Sequence, residues 1–209
     1  LTLRDPADTA QWAVQLSADS LMPGHLRLPR GANVEKLPGF GEGAWWVQDI
    51  AASLPARLLG PGEGRHVLDL CAAPGGKTLQ LTAQGWQVTA LDISKRRLDL
   101  LKANLKRTGL KAGAVRADAL KWEPKHTFDA ILLDAPCTAT GTARRHPDVL
   151  HRIGPQTIKQ MAQLQAALLQ RAQGWLKPGG TLVYATCSLE RAEGEDQAGA
   201  VSLTPDPIT

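Results

Sequence analysis

The 209-residue chain holds only three cysteines, Cys71, Cys137 and Cys187, and no C-x-x-C pair. An odd, widely spaced set argues against a disulfide framework and against a structural zinc site, so no metal is expected. No apolar run is long enough to cross a bilayer. The first residues, LTLRDPADT, lack the basic start and apolar core of a secretory signal. A cytoplasmic protein with free thiols, without membrane contact and monomeric, is the expectation. The G-x-x-x-x-G-K-[ST] and G-x-G-x-x-G patterns are both missing, which disfavours ATP and NAD. Internal repeats are also lacking. Acidic residues are scarce in one stretch: between Lys95 and Arg116 eight basic residues face only Asp99. A second basic stretch contains Arg144, Arg145, His146, His151 and Arg152. The overall excess is small, 24 basic against 20 acidic residues, or +4. Such faces suit a polyanion, or simply a solvated helix surface.

What is present reads as one α/β domain with a short appendage. Residues 1–45 are broken by turn formers, as in Met22-Pro23-Gly24 and Leu37-Pro38-Gly39. They are expected to form an N-terminal extension with one short helix over Thr9–Ala18. A helix is predicted over Trp45–Leu59, with Pro55 as a possible break and Trp45 and Trp46 as core residues. From His66 the pattern becomes regular. Strands are predicted at His66–Leu70, Gln87–Leu91, Ala114–Ala117, Phe128–Leu133 and Thr181–Ala185. Helices are predicted at Thr78–Gln84, Lys95–Arg107 and Pro155–Trp175. Strands alternating with helices imply a doubly wound, mostly parallel sheet of Rossmann-like type. The catalytic domain is expected over residues 46–197. Residues 198–209 are expected to form a polar, poorly ordered and truncated tail.

In such sheets ligands bind beyond the carboxyl ends of the strands. The first regular strand runs into Cys71-Ala72-Ala73-Pro74-Gly75-Gly76-Lys77, a loop of small residues that lets a ligand touch the backbone. The next strands lead to Asp92, Asp118 and Asp134. Any one of these acids could merely cap a helix. Three at successive strand ends beside that loop favour a cofactor site, with Asp92 accepting ribose hydroxyls and Asp118 meeting an adenine amino group. Adenosine without a phosphate cradle points to S-adenosylmethionine.

The last two strands each end near a cysteine, Cys137 in Asp134-Ala135-Pro136-Cys137 and Cys187 in Ala185-Thr186-Cys187-Ser188. A thiolate that adds to C6 of cytosine makes C5 nucleophilic enough to take a methyl group, after which a base must remove the C5 proton. The segments VLDLCAAPGGKT, ALDIS, LLDAPCTATGTARRHPD and LVYATCSLERAEGE resemble, in order, the motifs of the RNA cytosine-C5 methyltransferases. The likeness runs from about Gly39 to Gln197 and is greatest to bacterial 16S ribosomal RNA enzymes of the Sun/Fmu type.

That resemblance implies a SAM-dependent Rossmann-like fold and an RNA partner, ribosomal RNA in particular. It implies Cys187 as nucleophile, Cys137 in product release, Asp134 against the flipped cytosine and near the cofactor, and Lys77 facing the base. Cys71, Ala72, Ala73, Pro74, Gly75, Gly76 and Lys77 would line the methionine end of the cofactor, and Arg144 and Arg145 would contact RNA. Cys137 remains the alternative nucleophile, since the similar DNA enzymes use the cysteine of the Pro-Cys motif. A tRNA or DNA methyltransferase and a non-catalytic RNA-binding module are the competing functions. Family members carry a helical RNA-binding domain before this unit and further strands after it, so the chain is expected to be a fragment.

Overall fold

The computed structural model describes residues 1–201 and Thr204; of the expected tail, residues 202–203 and 205–209 lie outside the described residues. Strands β1 (Thr2–Leu3), β2 (Asp19–Met22), β3 (His25–Arg27) and β4 (Trp45–Trp46), with helix α1 (Thr9–Gln15), form an antiparallel sheet in the order β2-β3-β1-β4. Leu1, Leu3, Leu16, Leu26 and Trp45 are its own apolar core. None of these strands was predicted. Strands of two to four residues are too short to display alternation, and their pairing is decided by partners distant in sequence.

The largest revision concerns Trp45 and Trp46, predicted to begin a helix. They pair as β4 with β1, and both indoles are buried as expected of core residues. Trp45 Nε1 donates to the Pro38 carbonyl at 3.0 Å. The helix, α2, spans Ile50–Leu58, begins where the Asp49 side chain accepts from Ala51 N at 2.9 Å, and runs through Pro55. Its buried face, Ser53 and Ala56, keeps the helix docked despite the bond that proline removes.

The second sheet has five parallel strands in the order β7-β6-β5-β8-β9, comprising β5 (His66–Leu70), β6 (Gln87–Asp92), β7 (Gly113–Arg116), β8 (Phe128–Asp134) and β9 (Leu176–Ala185). Among the described residues, helices α3 (Gly76–Ala83), α4 (Lys95–Thr108), α5 (Val149–Arg152), α6 (Pro155–Trp175) and α7 (Glu195–Gly199) lie between and after these strands. The central strands are apolar on both faces, as parallel strands covered by helices must be. Leu68, Leu70, Ile131 and Leu133 pack on Leu168, Leu169, Ala172 and Trp175 of α6. On the opposite face, Val67 and Leu132 meet Ala56 and Leu81, while Ala90 meets Leu98, Leu101 and Leu105 of α4. Strand β9 begins five residues earlier than predicted, because Leu176 pairs with Phe128 before the chain bulges and resumes at Thr181 opposite Ala130. Among the described residues, no helix is long and apolar enough to cross a membrane.

Strand order reverses at β5, which lies between β6 on one side and β8 on the other. The loop after β5 therefore sits at the switch point where an open α/β sheet offers a crevice.

Candidate active site

That loop turns sharply. Cys71 (φ 59) and Gly75 (φ 107) both adopt left-handed backbone conformations. A Cβ at Gly75 would lie 2.8 Å from Leu101 Cγ, so both strain and a clash exclude a side chain there. Gly75→Ala is expected to destabilise the protein by about 2–4 kcal/mol, read as a lower urea midpoint with unchanged slope. Asp92 holds the loop from the neighbouring strand. Its Oδ2 accepts from Ala73 N at 3.1 Å and its Oδ1 from Ser94 N at 2.8 Å. Arg97 lies 3.6 Å from the same carboxylate and also donates to the Ala73 carbonyl. Helix α3 then starts with no side-chain cap, leaving its first backbone amides available to an anionic group.

The Cys71 thiol is pushed up to about 12 by burial and by the carboxylates of Asp92, Asp69 and Asp134, which makes it unreactive. Asp69, not singled out from the sequence, is fully buried beneath the loop. It accepts from Thr78 Oγ1 at 2.6 Å, and its Oδ1 has no partner. Burial raises its carboxyl to about 7.

The ends of β8 and β9 carry the other groups. Lys77 Nζ donates to Asp134 Oδ2 at 2.7 Å, with the lysine side chain only 13% exposed. This pair forms part of the wall of a cleft of about 450 Å³ that also takes in Ala72, Ala73, Trp46 and Phe40. Asp92 and Asp118 do not line that cleft. Cys137 and Cys187 lie with their sulfurs 3.3 Å apart, Cys137 half-buried and Cys187 exposed. At that distance the two thiols share a proton. The first ionisation is drawn down to about 6 at Cys137 by the bond from Cys187, assisted by Thr186 Oγ1 and backbone amides. The second, at Cys187, is pushed up by its bond to Cys137, by partial desolvation of the sulfur although the residue as a whole is exposed, and by the negative charge of the neighbouring sulfur and Asp134. The pair as a whole therefore loses its first proton more readily than an isolated thiol and its second less readily.

Asp118 lies two residues beyond the end of β7 and accepts from Leu120 N at 3.0 Å. Arg144 is exposed. Arg145 is also exposed, but pairs with Asp49 at 3.1 Å and so ties its loop to the start of α2. At Gly141 a Cβ would come within 2.7 Å of the Cys187 carbonyl, which the Gly141 amide bonds at 2.9 Å. The Cys187 turn therefore rests directly on the backbone of the loop after Cys137. Glu193, Gln165, Thr138 and Ser188, also unassigned from the sequence, surround the two cysteines from below. Glu193 stands inside the quoted segment LVYATCSLERAEGE, and its only signal was an acidic residue near a cysteine turn.

A sequence model described as 16S rRNA methyltransferase RsmB/F matches residues 56–203. Ribosomal RNA small subunit methyltransferase B of Salmonella typhi is 48% identical over 190 residues, covering 88% of this chain and 44% of the relative. The chain therefore spans less than half the length of the curated relatives it matches. A methyltransferase homologue from Pyrococcus horikoshii is similar at 30% identity with a TM-score of 0.81, over 94% of this chain and 67% of that one. NSun6 of the same organism, solved with SFG, is similar at 34% identity with a TM-score of 0.74, over 86% of this chain and 46% of that one.

Proposed function

Because the chain belongs to the RsmB/F family of 16S rRNA methyltransferases, we propose that it methylates C5 of a cytosine in RNA, with 16S ribosomal RNA as the substrate and S-adenosylmethionine as the donor. The observation that carries the chemistry is the 3.3 Å approach of Cys137 and Cys187, with Asp134 near enough to act on Cys187, at the edge of the cleft that Lys77 and Asp134 wall and neither cysteine lines. The cofactor reading is supported by the uncapped start of α3, suited to a carboxylate; Asp92, buried and engaged by Ala73 N and Ser94 N, serves it by holding the loop in shape. It is supported too by NSun6, whose bound SFG is an analogue of S-adenosylmethionine.

In this reading a flipped cytosine enters the cleft and is held by Asp134 at its amino group. Cys187 passes its proton to Cys137, and its sulfur adds to C6. The electron pair displaced toward the ring's carbonyl side is met by the Lys77 ammonium. C5, now enamine-like, takes the methyl group that the bound cofactor supplies. A base then removes the C5 proton, the C5–C6 double bond re-forms, and the Cys187 thiolate leaves, with Cys137 assisting that release. Arg144 and the basic face of α4 would contact phosphates.

Transfer of labelled methyl from S-adenosylmethionine to 16S ribosomal RNA, followed by nucleoside mapping, tests the proposal. The expected product is 5-methylcytidine at a discrete position. Label in tRNA alone, in DNA, or nowhere would refute it.

A further inference from the structure

Cys137 and Cys187 belong to different strand ends, fifty residues apart, and no covalent link joins them. Something must hold the two turns so that the sulfurs meet at 3.3 Å. The side chain beneath both is Glu193, which is fully buried. Its Oε2 accepts from Thr138 N at 2.9 Å and from Gln165 Nε2 at 2.9 Å. Its Oε1 accepts from Ser188 Oγ at 2.8 Å and from Thr138 Oγ1. Gln165, itself fully buried, also donates to the Pro136 carbonyl at 2.8 Å. The residues after Cys137 and after Cys187 thus bond one carboxylate directly, and the residue before Cys137 is tied to it through Gln165. Tyr184 of β9 donates to the Glu193 carbonyl at 2.6 Å and pins its backbone.

We propose that Glu193 is a positioning residue for the reaction, a buried carboxylate whose four donors hold the Cys137 and Cys187 turns at proton-sharing distance. The inference rests on the function proposed above. A packed apolar side chain would fill the same space without the desolvation cost of a buried charge. The carboxylate is suited because every donor around it needs an acceptor. At Oε2 both donors are N–H groups, which cannot reverse; only the hydroxyls at Oε1 could. Burial pushes the Glu193 carboxyl up, but the bonds from Thr138, Gln165 and Ser188 outweigh it and leave it below the ordinary value. An ångström of misplacement between reacting groups costs on the order of 10²-fold in rate, which is the scale of effect a positioning residue should have.

Glu193→Gln puts an amide against N–H donors or forces both hydroxyls to turn. In this variant kcat for methyl transfer is expected to fall ~10²-fold, with KM for RNA and cofactor changed less than ~3-fold. The second readout needs neither substrate: the pH dependence of Cys137 alkylation, followed by mass spectrometry. The charged and titratable groups around this thiol are Cys187, Asp134, Tyr184, Glu193, His146 and Arg152. Removing the negative charge of Glu193 would by itself lower the thiol's midpoint. Separating the sulfurs raises it, from about 6 toward the ordinary thiol value, so the sign distinguishes positioning from electrostatics. A folded variant with an unchanged or lowered midpoint, or with loss confined to KM or to melting temperature, overturns the proposal. Should Glu193→Gln not fold, Ser188→Ala removes one arm and must also raise the midpoint; an unchanged midpoint there is equally fatal. If the wild-type protein transfers no methyl group yet the midpoint shifts, the proposed function fails while the clamp stands.

Discussion

Replacing Cys187 with Ser should abolish methyl transfer, by on the order of 10⁴-fold or more, whereas replacing Cys137 with Ser should leave RNA covalently attached to the protein. A hydroxyl at 187 is far less ionised than a thiol and cannot add to C6 at a useful rate. With Cys187 intact and Cys137 removed, addition and methylation proceed more slowly for want of the thiolate that takes the Cys187 proton, and the group that assists release is gone, so the adduct accumulates. The adduct then survives denaturing electrophoresis as a slower band that ribonuclease collapses. The bond from Cys187 draws the Cys137 thiol down, so a reading in which Cys137 attacks is the alternative to be tested. The two differ in outcome: if Cys137 is the nucleophile, Cys187→Ser stays active and the trapped adduct forms in no variant that lacks Cys137. In either case the sharing of one proton across 3.3 Å predicts the acid limb of kcat/KM. Activity should fall as the pH drops below about 6, where the pair becomes fully protonated. An isolated thiol would lose activity near its much higher ordinary value. A limb above pH 8 in the pH profile would contradict a shared proton.

Asp134→Ala should lower kcat/KM by about 10²–10³-fold, and Lys77→Met by a similar factor. Lys77 is largely enclosed and its ammonium meets Asp134 at 2.7 Å. Without the carboxylate, the charge is left in the cleft with no partner and the lysine side chain is free to swing away from the base. Without the lysine, Asp134 keeps its charge but the electron density pushed onto the ring has nothing to meet it. Because the two act as one unit, the double variant should be no worse than about threefold below the poorer single variant. A double-mutant cycle of kcat/KM measures this, and simple additivity would mean that the pair is not a functional unit. Equilibrium binding of S-adenosylmethionine by calorimetry should change less than kcat, since the loop from Cys71 to Gly76 and Asp92 remain in place.

Much of the fold was legible because parallel central strands are apolar on both faces and short enough to recognise. The five strands from His66 onward and helices α4 and α6 fall within a few residues of their predicted places, apart from the early start of β9. The N-terminal sheet was not legible. Its strands are two to four residues long, and Trp45-Trp46 is a strand only because Thr2 and Leu3 lie opposite. The loop and the paired cysteines were visible as residue types at strand ends. What those ends do to each other was not.

The sequence by itself determined the alternation of strands and helices, the small-residue loop after β5, and the presence of a thiol beyond each of the last two strands. Periodicity records which residues of an element are buried, so each element announces itself. Only the tertiary structure decided that Cys137 and Cys187 touch, that Lys77 reaches Asp134, and that Glu193 lies under both cysteine turns. The physical reason is the strand order. Placing β8 beside β9 in register, with Asp134 opposite Ala185, carries both turns to the same edge. There a buried carboxylate with four donors can hold them at a distance that no spacing along the chain encodes.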